Sequence, residues 1–106
     1  HFVQIEAAVD FIRDNFRGKI SIGDLSERTG LSPRQFDRKF KAAFGISPQQ
    51  FILKTRILAG CDELVNLRRP ISAISFELGF CDQSSFTRHF LKHMGVTPMQ
   101  YRKRLR

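Results

Sequence analysis

Tryptophan is absent from the 106-residue sequence, and cysteine occurs only twice. Cys61 and Cys81 are too few for a disulfide framework and lack CxxC spacing, so we expect two reduced thiols. No apolar run approaches the roughly 18 residues that span a bilayer, and no segment resembles a signal peptide. These absences argue against a disulfide-rich secreted domain and against a membrane protein, and they favour the cytoplasm.

Acidic residues are also few compared with basic ones. Ten Asp and Glu stand against eighteen Lys and Arg, which gives a formal net charge of +8. A surplus of this size favours an anionic partner, although it does not identify the anion. From residue 82 onward there are six basic residues and one acidic residue, so the C-terminal part is the more electropositive end.

The sequence lacks the residue groupings that catalysis requires. It contains no glycine-rich phosphate loop, no paired acids and no Ser-His-Asp grouping at a recognisable turn, so we do not expect an enzyme. His89 and His93 are four residues apart on a predicted helix, but two imidazoles alone make an incomplete zinc site. A redox sensor would need Cys61 and Cys81 to lie close together with one partly exposed. No metal and no cofactor are expected.

Eleven of the aromatic residues are phenylalanines, and six of these phenylalanines belong to a repeat. The pattern that begins at Ile22 and ends at Phe51 recurs from Ile71 to Tyr101, with apolar, Gly, Phe and Pro positions in the same order. The offset is 49 residues before the phenylalanines and 50 from there on, so the second copy has one extra residue in its turn. Each copy has the pattern of a helix-turn-helix, which places a helix against nucleic acid.

Helical spacing and capping residues predict an all-α fold without strands. Ser32 is a predicted N-cap with Pro33 at the first helical position, and Gly45 ends the same helix. A longer helix of about twenty residues is expected from Pro48 to the Leu67 region, before Pro70. The seven predicted helices cover approximately residues 3–16, 22–28, 33–44, 48–67, 71–78, 83–94 and 98–104.

The third helix of each copy divides into an inward and an outward face at about 100° per residue. The inward stripe is predicted to contain Phe36, Phe40, Ala43 and Phe44 in the first copy, and Phe86, Phe90 and Met94 in the second. The outward positions are Arg34, Arg38 and Lys41, flanked by Gln35 and Asp37, and then Ser84, Arg88 and Leu91, flanked by Ser85 and Thr87. A single outward Arg is more often only solvated. Equivalent arginines at 38 and 88 favour base contact, since Arg to guanine is the commonest specific contact.

These residues resemble the AraC/XylS family of bacterial transcription regulators, specifically its C-terminal DNA-binding domain. The second copy, PISAISFELGFCDQSSFTRHFLKHMGVTPMQYR over 70–102, is similar to the family signature almost throughout. The first copy, DLSERTGLSPRQFDRKFKAAFGISPQQFILKTRI over 24–57, matches in the same way. The resemblance implies two helix-turn-helix subdomains, at 1–47 and 70–106, that are joined by a long linker helix within 48–69.

The resemblance also implies which residues contact DNA. The family's base-contact positions fall on Arg34, Asp37 and Arg38 in the first copy and on Gln83, Ser84, Ser85, Thr87 and Arg88 in the second. Lys41 and Arg102 are added as expected contacts, with Arg102 on phosphate. Asp37 would be repelled by phosphate, so it either accepts a hydrogen bond from cytosine N4 or orients Arg34 or Arg38, and the orienting role is favoured. Leu91 stands where the family often has a basic residue, which weakens a phosphate contact there.

The expected function is sequence-specific binding of double-stranded DNA in the major groove, as part of a bacterial transcription regulator. The expected partners are an asymmetric promoter site and RNA polymerase, and an effector or dimerisation domain is expected outside this chain. The alternative is a basic helical module that binds protein or RNA. RNA recognition usually uses exposed aromatic side chains for stacking, whereas nearly all of the phenylalanines here have core spacing.

Overall fold

The computed structural model describes residues 2–105, with side chains for residues 3–105. It contains only helices in this range, which confirms the all-α prediction with seven helices. Their bounds are Phe2–Asn15 (α1), Ile22–Thr29 (α2), Pro33–Phe44 (α3), Pro48–Glu63 (α4), Ile71–Glu77 (α5), Gln83–Met94 (α6) and Pro98–Arg104 (α7). Between residues 2 and 105, none of the helices combines the length and apolar character required to cross a membrane.

The linker helix α4 is shorter than the sequence pattern predicted. It has 16 residues and ends at Glu63, not near Leu67, which corresponds to a length of about 24 Å at 1.5 Å per residue. The chain leaves the helix because the amide of Asn66 bonds to the carbonyl of Glu63, only three residues earlier. The Asn66 side chain then accepts a hydrogen bond from the Arg68 amide. Asn side chains favour such local turns over helix, which explains the early end.

The chain forms two compact units, His1–Leu53 and Lys54–Arg106, and the boundary between them falls within α4. In the first unit α1, α2 and α3 pack against one another. Their core consists of residues that are at most 6% exposed: Ile5, Ala8, Val9, Ile12, Leu25, Phe36, Phe40 and Ile52. Aromatic rings supply much of this burial, as expected for a small unit without tryptophan.

The second unit is built in the same manner. In it α6 packs against both α5 and α7. Its buried apolar residues are Ile57, Leu64, Ile71, Ile74, Leu78, Phe80, Phe86 and Phe90. The Phe90 ring is edge-to-face with the rings of Phe86 and Tyr101, at centroid distances of 5.5 Å in both cases. This geometry is the favoured one for aromatic pairs and fixes the inward face of α6.

Local capping explains where the helices begin. Ser32 and Gln35 form a reciprocal capping box at the start of α3, and Thr97 and Gln100 do the same at α7. Helix α6 begins differently, because the Asp82 carboxylate accepts a hydrogen bond of 2.7 Å from the Ser85 amide. Each cap satisfies amides that have no partner within the helix, so the orientation of the helix start is set by residues beside it in sequence.

Gly60 lies inside α4 at a position where a side chain has no room. A Cβ at this position would lie 3.0 Å from the Phe86 ring and 3.1 Å from a methyl carbon of Leu78. A mid-helix glycine costs about 1 kcal/mol relative to alanine. Here it allows the end of α4 that belongs to the second unit to pack closely on the buried side chains of Leu78 and Phe86.

The inward stripe of each third helix is narrower at its C-terminal end than predicted. Phe36, Phe40, Phe86 and Phe90 are fully buried. Ala43 and Phe44 are exposed, and Phe44 retains 40% of its surface although its ring lies 4.8 Å from that of Phe40. Met94 is likewise exposed at the end of α6. These residues lie in the last turn of their helices, where the Phe44 ring packs beside the rings of Phe40 and Phe51 and stays partly open to solvent.

Arg102 is buried in the second unit, where it holds the end of α4 and the following turn. The residue is 8% exposed. Its guanidinium donates hydrogen bonds to the carbonyls of Leu64, Asn66 and Arg69, at 3.2, 3.1 and 2.7 Å. The Leu64 carbonyl directly follows the last turn of α4, where carbonyls carry partial negative charge and are suited to bind a cation. The Arg69 side chain continues this connection by pairing with Glu63 and Glu77.

We expect Phe90→Ala to lower the free energy of unfolding by about 3–5 kcal/mol, because it removes a fully buried ring and leaves a cavity. Arg88→Ala, on the exposed side of the same helix, should change the stability by no more than about 0.5 kcal/mol. Denaturant unfolding of both variants measures the difference. The reverse order, with Arg88→Ala unfolding the protein and Phe90→Ala sparing it, would show that the helix faces are wrongly assigned.

We expect Arg102→Ala to lower the free energy of unfolding by roughly 2–3 kcal/mol, because three carbonyls lose a charged donor and a buried side chain is lost. Lys103→Ala is the control, since Lys103 is the next residue and is exposed. Thermal unfolding of the two variants makes the comparison. If Arg102→Ala keeps the unfolding midpoint of the unmodified protein, Arg102 is not a structural clamp.

Candidate nucleic-acid interface

In the first unit, α2, the turn around Gly30 and α3 form a helix-turn-helix. Gly30 has φ 74°, a left-handed conformation that glycine adopts at little cost, and Ser32 restarts the chain as the cap of α3. Arg34, Arg38 and Lys41 are exposed on α3, as the helical periodicity predicted. The fully buried phenylalanines of α3 hold the opposite face against the core. The motif therefore presents a basic helix surface to solvent.

Asp37 pairs with a basic residue of its own helix. Its carboxylate lies 3.2 Å from the Lys41 ammonium, one helical turn further on, and both side chains are about half exposed. The contact with cytosine N4 and the orienting of Arg34 or Arg38 both stay predictions for Asp37. A pair of this type contributes only about 0.3–0.5 kcal/mol. It does lower the effective positive charge on this part of the α3 face.

In the second unit, α5, the turn at Gly79 and α6 form the corresponding motif. Five residues of α6 line one shallow concavity on the outer face: Gln83, Ser84, Thr87, Arg88 and Leu91. Gln83, Ser84 and Arg88 are exposed, and Thr87 is half-buried. Ser85 lies beside the concavity with its amide bound to the Asp82 cap. Four of the five sequence-predicted contact residues of the second copy are thus brought together on one surface.

The two outward faces are equivalent in position but not in chemistry. With an offset of 50 residues, Arg38 corresponds to Arg88, and both are exposed. Arg34 corresponds to Ser84, and Lys41 corresponds to Leu91. The first face therefore carries three basic groups and one acid, whereas Arg88 is the basic member of the five residues that line the second. The two faces therefore share an arginine that has different neighbours on each.

Arg102 is not part of either face. The predicted phosphate contact is contradicted by its burial, because its three hydrogen bonds leave the guanidinium inside the second unit. The repeat contained a signal for this position. Ile52, fifty residues earlier, is a buried apolar residue of the first core. Among the described residues after Arg102, the exposed basic ones are Lys103 and Arg104.

His89 lies next to Arg88 but is directed toward the core. Its ring stacks on that of Phe80 with a centroid distance of 6.1 Å. Burial lowers the pKa of the His89 imidazole, and the positive charges of Arg88, His93 and Lys92 lower it further. The His93 ring instead contacts the carbonyl of His89 through Nδ1, at 2.9 Å. Across the described residues, no three His, Cys, Asp or Glu side chains are grouped so that they could hold a metal ion.

The cysteines occupy different environments. Burial raises the pKa of the Cys61 thiol, although a hydrogen bond with Tyr101 acts in the opposite direction. Cys61 is half-buried, which is consistent with a packing role, and Cys81 is exposed in the turn before α6. A raised pKa leaves less thiolate at neutral pH, so the Cys61 sulfur is not activated as a nucleophile.

The comparisons with known proteins agree with this architecture. A family model described as a helix-turn-helix domain matches residues 25–104. Multiple antibiotic resistance protein MarA of Escherichia coli (strain K12) is 31% identical over 100 residues, which cover 94% of this chain and 79% of MarA. The chain spans only 33% to 37% of the length of three other curated relatives that it matches.

Solved structures have the same fold. The crystal structure of an AraC-type transcriptional regulator from Chromobacterium violaceum is similar with a TM-score of 0.89 and 25% identity, over 96% of this chain and 91% of that one. The DNA-binding domain of AdpA, crystallised with a target DNA, is similar with a TM-score of 0.88 over 94% of this chain and 90% of that one. At 23% identity, the AdpA likeness shows the fold alone.

The family and fold are those of DNA-binding transcription regulators rather than of enzymes. The two helix-turn-helix motifs with their spaced phenylalanines, the matched family model and the similarity to MarA lead to the same assignment. The chain belongs to the AraC/XylS family of transcription regulators and constitutes its helix-turn-helix DNA-binding domain.

Proposed function

We propose that this chain reads a DNA sequence by placing α3 and α6 in the major groove of double-stranded DNA. One observation carries the proposal: Arg38 and Arg88 are exposed at equivalent positions on the third helices of two helix-turn-helix motifs. This is the part of such a motif that contacts base edges, and Arg donates two hydrogen bonds to guanine O6 and N7. The formal net charge of +8 favours the approach to a polyanion.

The other exposed residues divide between reading bases and holding phosphate. In the first unit Arg34 extends the basic surface toward the start of α3, and Lys41 contributes at the far end, where Asp37 offsets part of its charge. In the second unit the contact set is Gln83, Ser84, Ser85, Thr87 and Arg88. Lys103 and Arg104 are exposed basic residues that would hold phosphate in place of the buried Arg102.

The DNA site is expected to be asymmetric. Two copies of one motif with identical outward faces would prefer the same bases twice. Here Arg34 is replaced by Ser84 and Lys41 by Leu91, so the donor and acceptor patterns differ between the faces. A single chain would therefore select two short blocks with unlike consensus sequences, and not a palindrome.

The proposal extends to the setting in which the domain works. Relatives of this chain are transcription regulators, and several of them are much longer than the matched segment. This supports the proposal that the domain acts on a promoter in the bacterial cytoplasm together with RNA polymerase, and that an effector or dimerisation domain controls it. The AdpA domain, which has the same fold, was crystallised with its target DNA, which supports duplex DNA as the ligand.

We expect Arg38→Ala and Arg88→Ala each to weaken binding to the selected site by about 1–3 kcal/mol and to relax the preference at one or two base positions. The duplex is obtained by selection from a random pool, and affinities are measured on that duplex and on a scrambled one at a single salt concentration. Each arginine should lower affinity mainly for the selected duplex, because base contacts exist only there.

Lys103→Ala is the control, because loss of a phosphate contact weakens both duplexes alike. Equal losses on both duplexes for Arg88→Ala would mean that Arg88 touches only phosphate. Single-stranded RNA is added as a competitor in the same measurement. If the RNA displaces the selected duplex as well as unlabelled duplex does, the chain is an RNA-binding module and the proposed function fails.

A further inference from the structure

Leu91 is an apolar side chain on a surface that is otherwise polar. It is 46% exposed and lines the concavity on α6 together with Thr87 and Arg88. An exposed leucine by itself has little significance, since much of any protein surface is apolar. Leu91, however, occupies the position that Lys41 has on the equivalent face of the first unit. The feature to be explained is therefore a leucine on a DNA-facing surface where the other copy has a cation.

A phosphate group is the wrong neighbour for Leu91. The side chain offers no hydrogen-bond donor, and covering a phosphate oxygen with it would remove water without replacing the lost hydrogen bonds. One apolar group is presented in the major groove at the level of the base edges, the C5 methyl of thymine. Contact between Leu91 and this methyl removes apolar surface from water on both sides, which is favourable.

The position of Leu91 along the helix determines where such a thymine would lie. Leu91 follows Arg88 by three residues and Thr87 by four, so it is on the same side of α6 and about 4.5–6 Å further along the axis. Thr87 is half-buried and lines the same concavity as Leu91. A thymine within about two base pairs of the guanine contacted by Arg88 is then in reach.

We propose that Leu91 is a specificity-determining residue that reads the C5 methyl group of a thymine in the DNA block bound by α6. The inference rests on the proposed function, since it requires that α6 enters the major groove. It predicts that the block contains an invariant thymine within about two base pairs of the Arg88 contact. Cytosine is disfavoured there, because it presents the N4 donor and no methyl at the same place in the groove.

The test removes the methyl group and nothing else. The block bound by α6 is the one in which Arg88→Ala relaxes the base preference. Each thymine of this block in the selected duplex is replaced in turn by deoxyuridine, which pairs with adenine in the same way. At one thymine the unmodified protein should bind about fourfold more weakly, which corresponds to about 0.8 kcal/mol for one buried methyl. Leu91→Ala should bind the thymine and uracil duplexes equally.

Leu58→Ala is the matched control, because Leu58 is a leucine of the second unit with 51% exposure and lies on α4. It should keep the fourfold ratio. Deoxyuridine is also placed in the other block, which faces Lys41. The ratio of affinities for the thymine and uracil duplexes at that block should be the same for Leu91→Ala, Leu58→Ala and the unmodified protein. Unfolding midpoints of both variants confirm that the comparison is made on folded protein.

Three results would overturn the inference. The unmodified protein could bind the uracil duplexes as tightly as the thymine duplex at every position, or Leu91→Ala could retain the fourfold ratio of thymine to uracil affinity. The third is that this ratio is lost in Thr87→Ala and in no other variant. In each of these the protein still prefers the selected duplex to a scrambled one, so the proposed function stands. If the unmodified protein shows no such preference, the proposed function itself fails and the inference falls with it.

Discussion

The burial of paired phenylalanines on the third helix of each unit is the constraint on which the rest of the structure depends. Phe36 and Phe40 are fully buried with ring centroids 5.7 Å apart, and Phe86 and Phe90 repeat the arrangement at 5.5 Å. Residues four apart lie on one side of a helix, so anchoring this pair leaves α3 and α6 a single possible orientation. The outward side chains, among them Arg34, Arg38, Ser84 and Arg88, are then exposed to solvent.

Because the phenylalanines anchor each helix, the outward residues of α3 and α6 can vary while the inward residues cannot. The outward residues carry little of the stability, so Arg34 and Ser84, or Lys41 and Leu91, can occupy equivalent positions on the same frame. The inward positions accept change only when the replacement fills the same space. Ile52 and Arg102 show a limit of this rule, because both are buried although one packs as a hydrocarbon and the other donates to three carbonyls.

Much of the fold was predictable because its determinants are local. The caps at Ser21 and Ser32 and the left-handed turns at Gly30 and Gly45 act on amides and carbonyls only a few residues away. The periodicity of phenylalanine also identified the faces of α3 and α6. A buried Arg102, by contrast, depends on carbonyls of residues 33 to 38 positions earlier, which no local pattern reveals.

Two further differences between prediction and structure concern the last turns of helices. The end of α4 is decided by Asn66 and by the turn that Arg102 holds, not by the helical pattern that continues to Leu67. Phe44 has the spacing of a core residue, yet the core does not extend as far as the last turn of α3. Asp37 pairs with Lys41 because the two are one helical turn apart.

The same helix-turn-helix scaffold, used twice, is proposed to carry two outward surfaces that prefer different bases. Transferring the outward residues of α6 to α3 tests this most directly. The triple variant Arg34→Ser, Asp37→Thr and Lys41→Leu gives α3 the α6 residues at these positions while Arg38 and the Gln35 cap remain. The measurement is the consensus selected from a random duplex pool by this variant and by the unmodified chain. We expect the block bound by α3 to change toward that bound by α6, with the second block unchanged. A folded variant whose first block keeps its original consensus would contradict the claim.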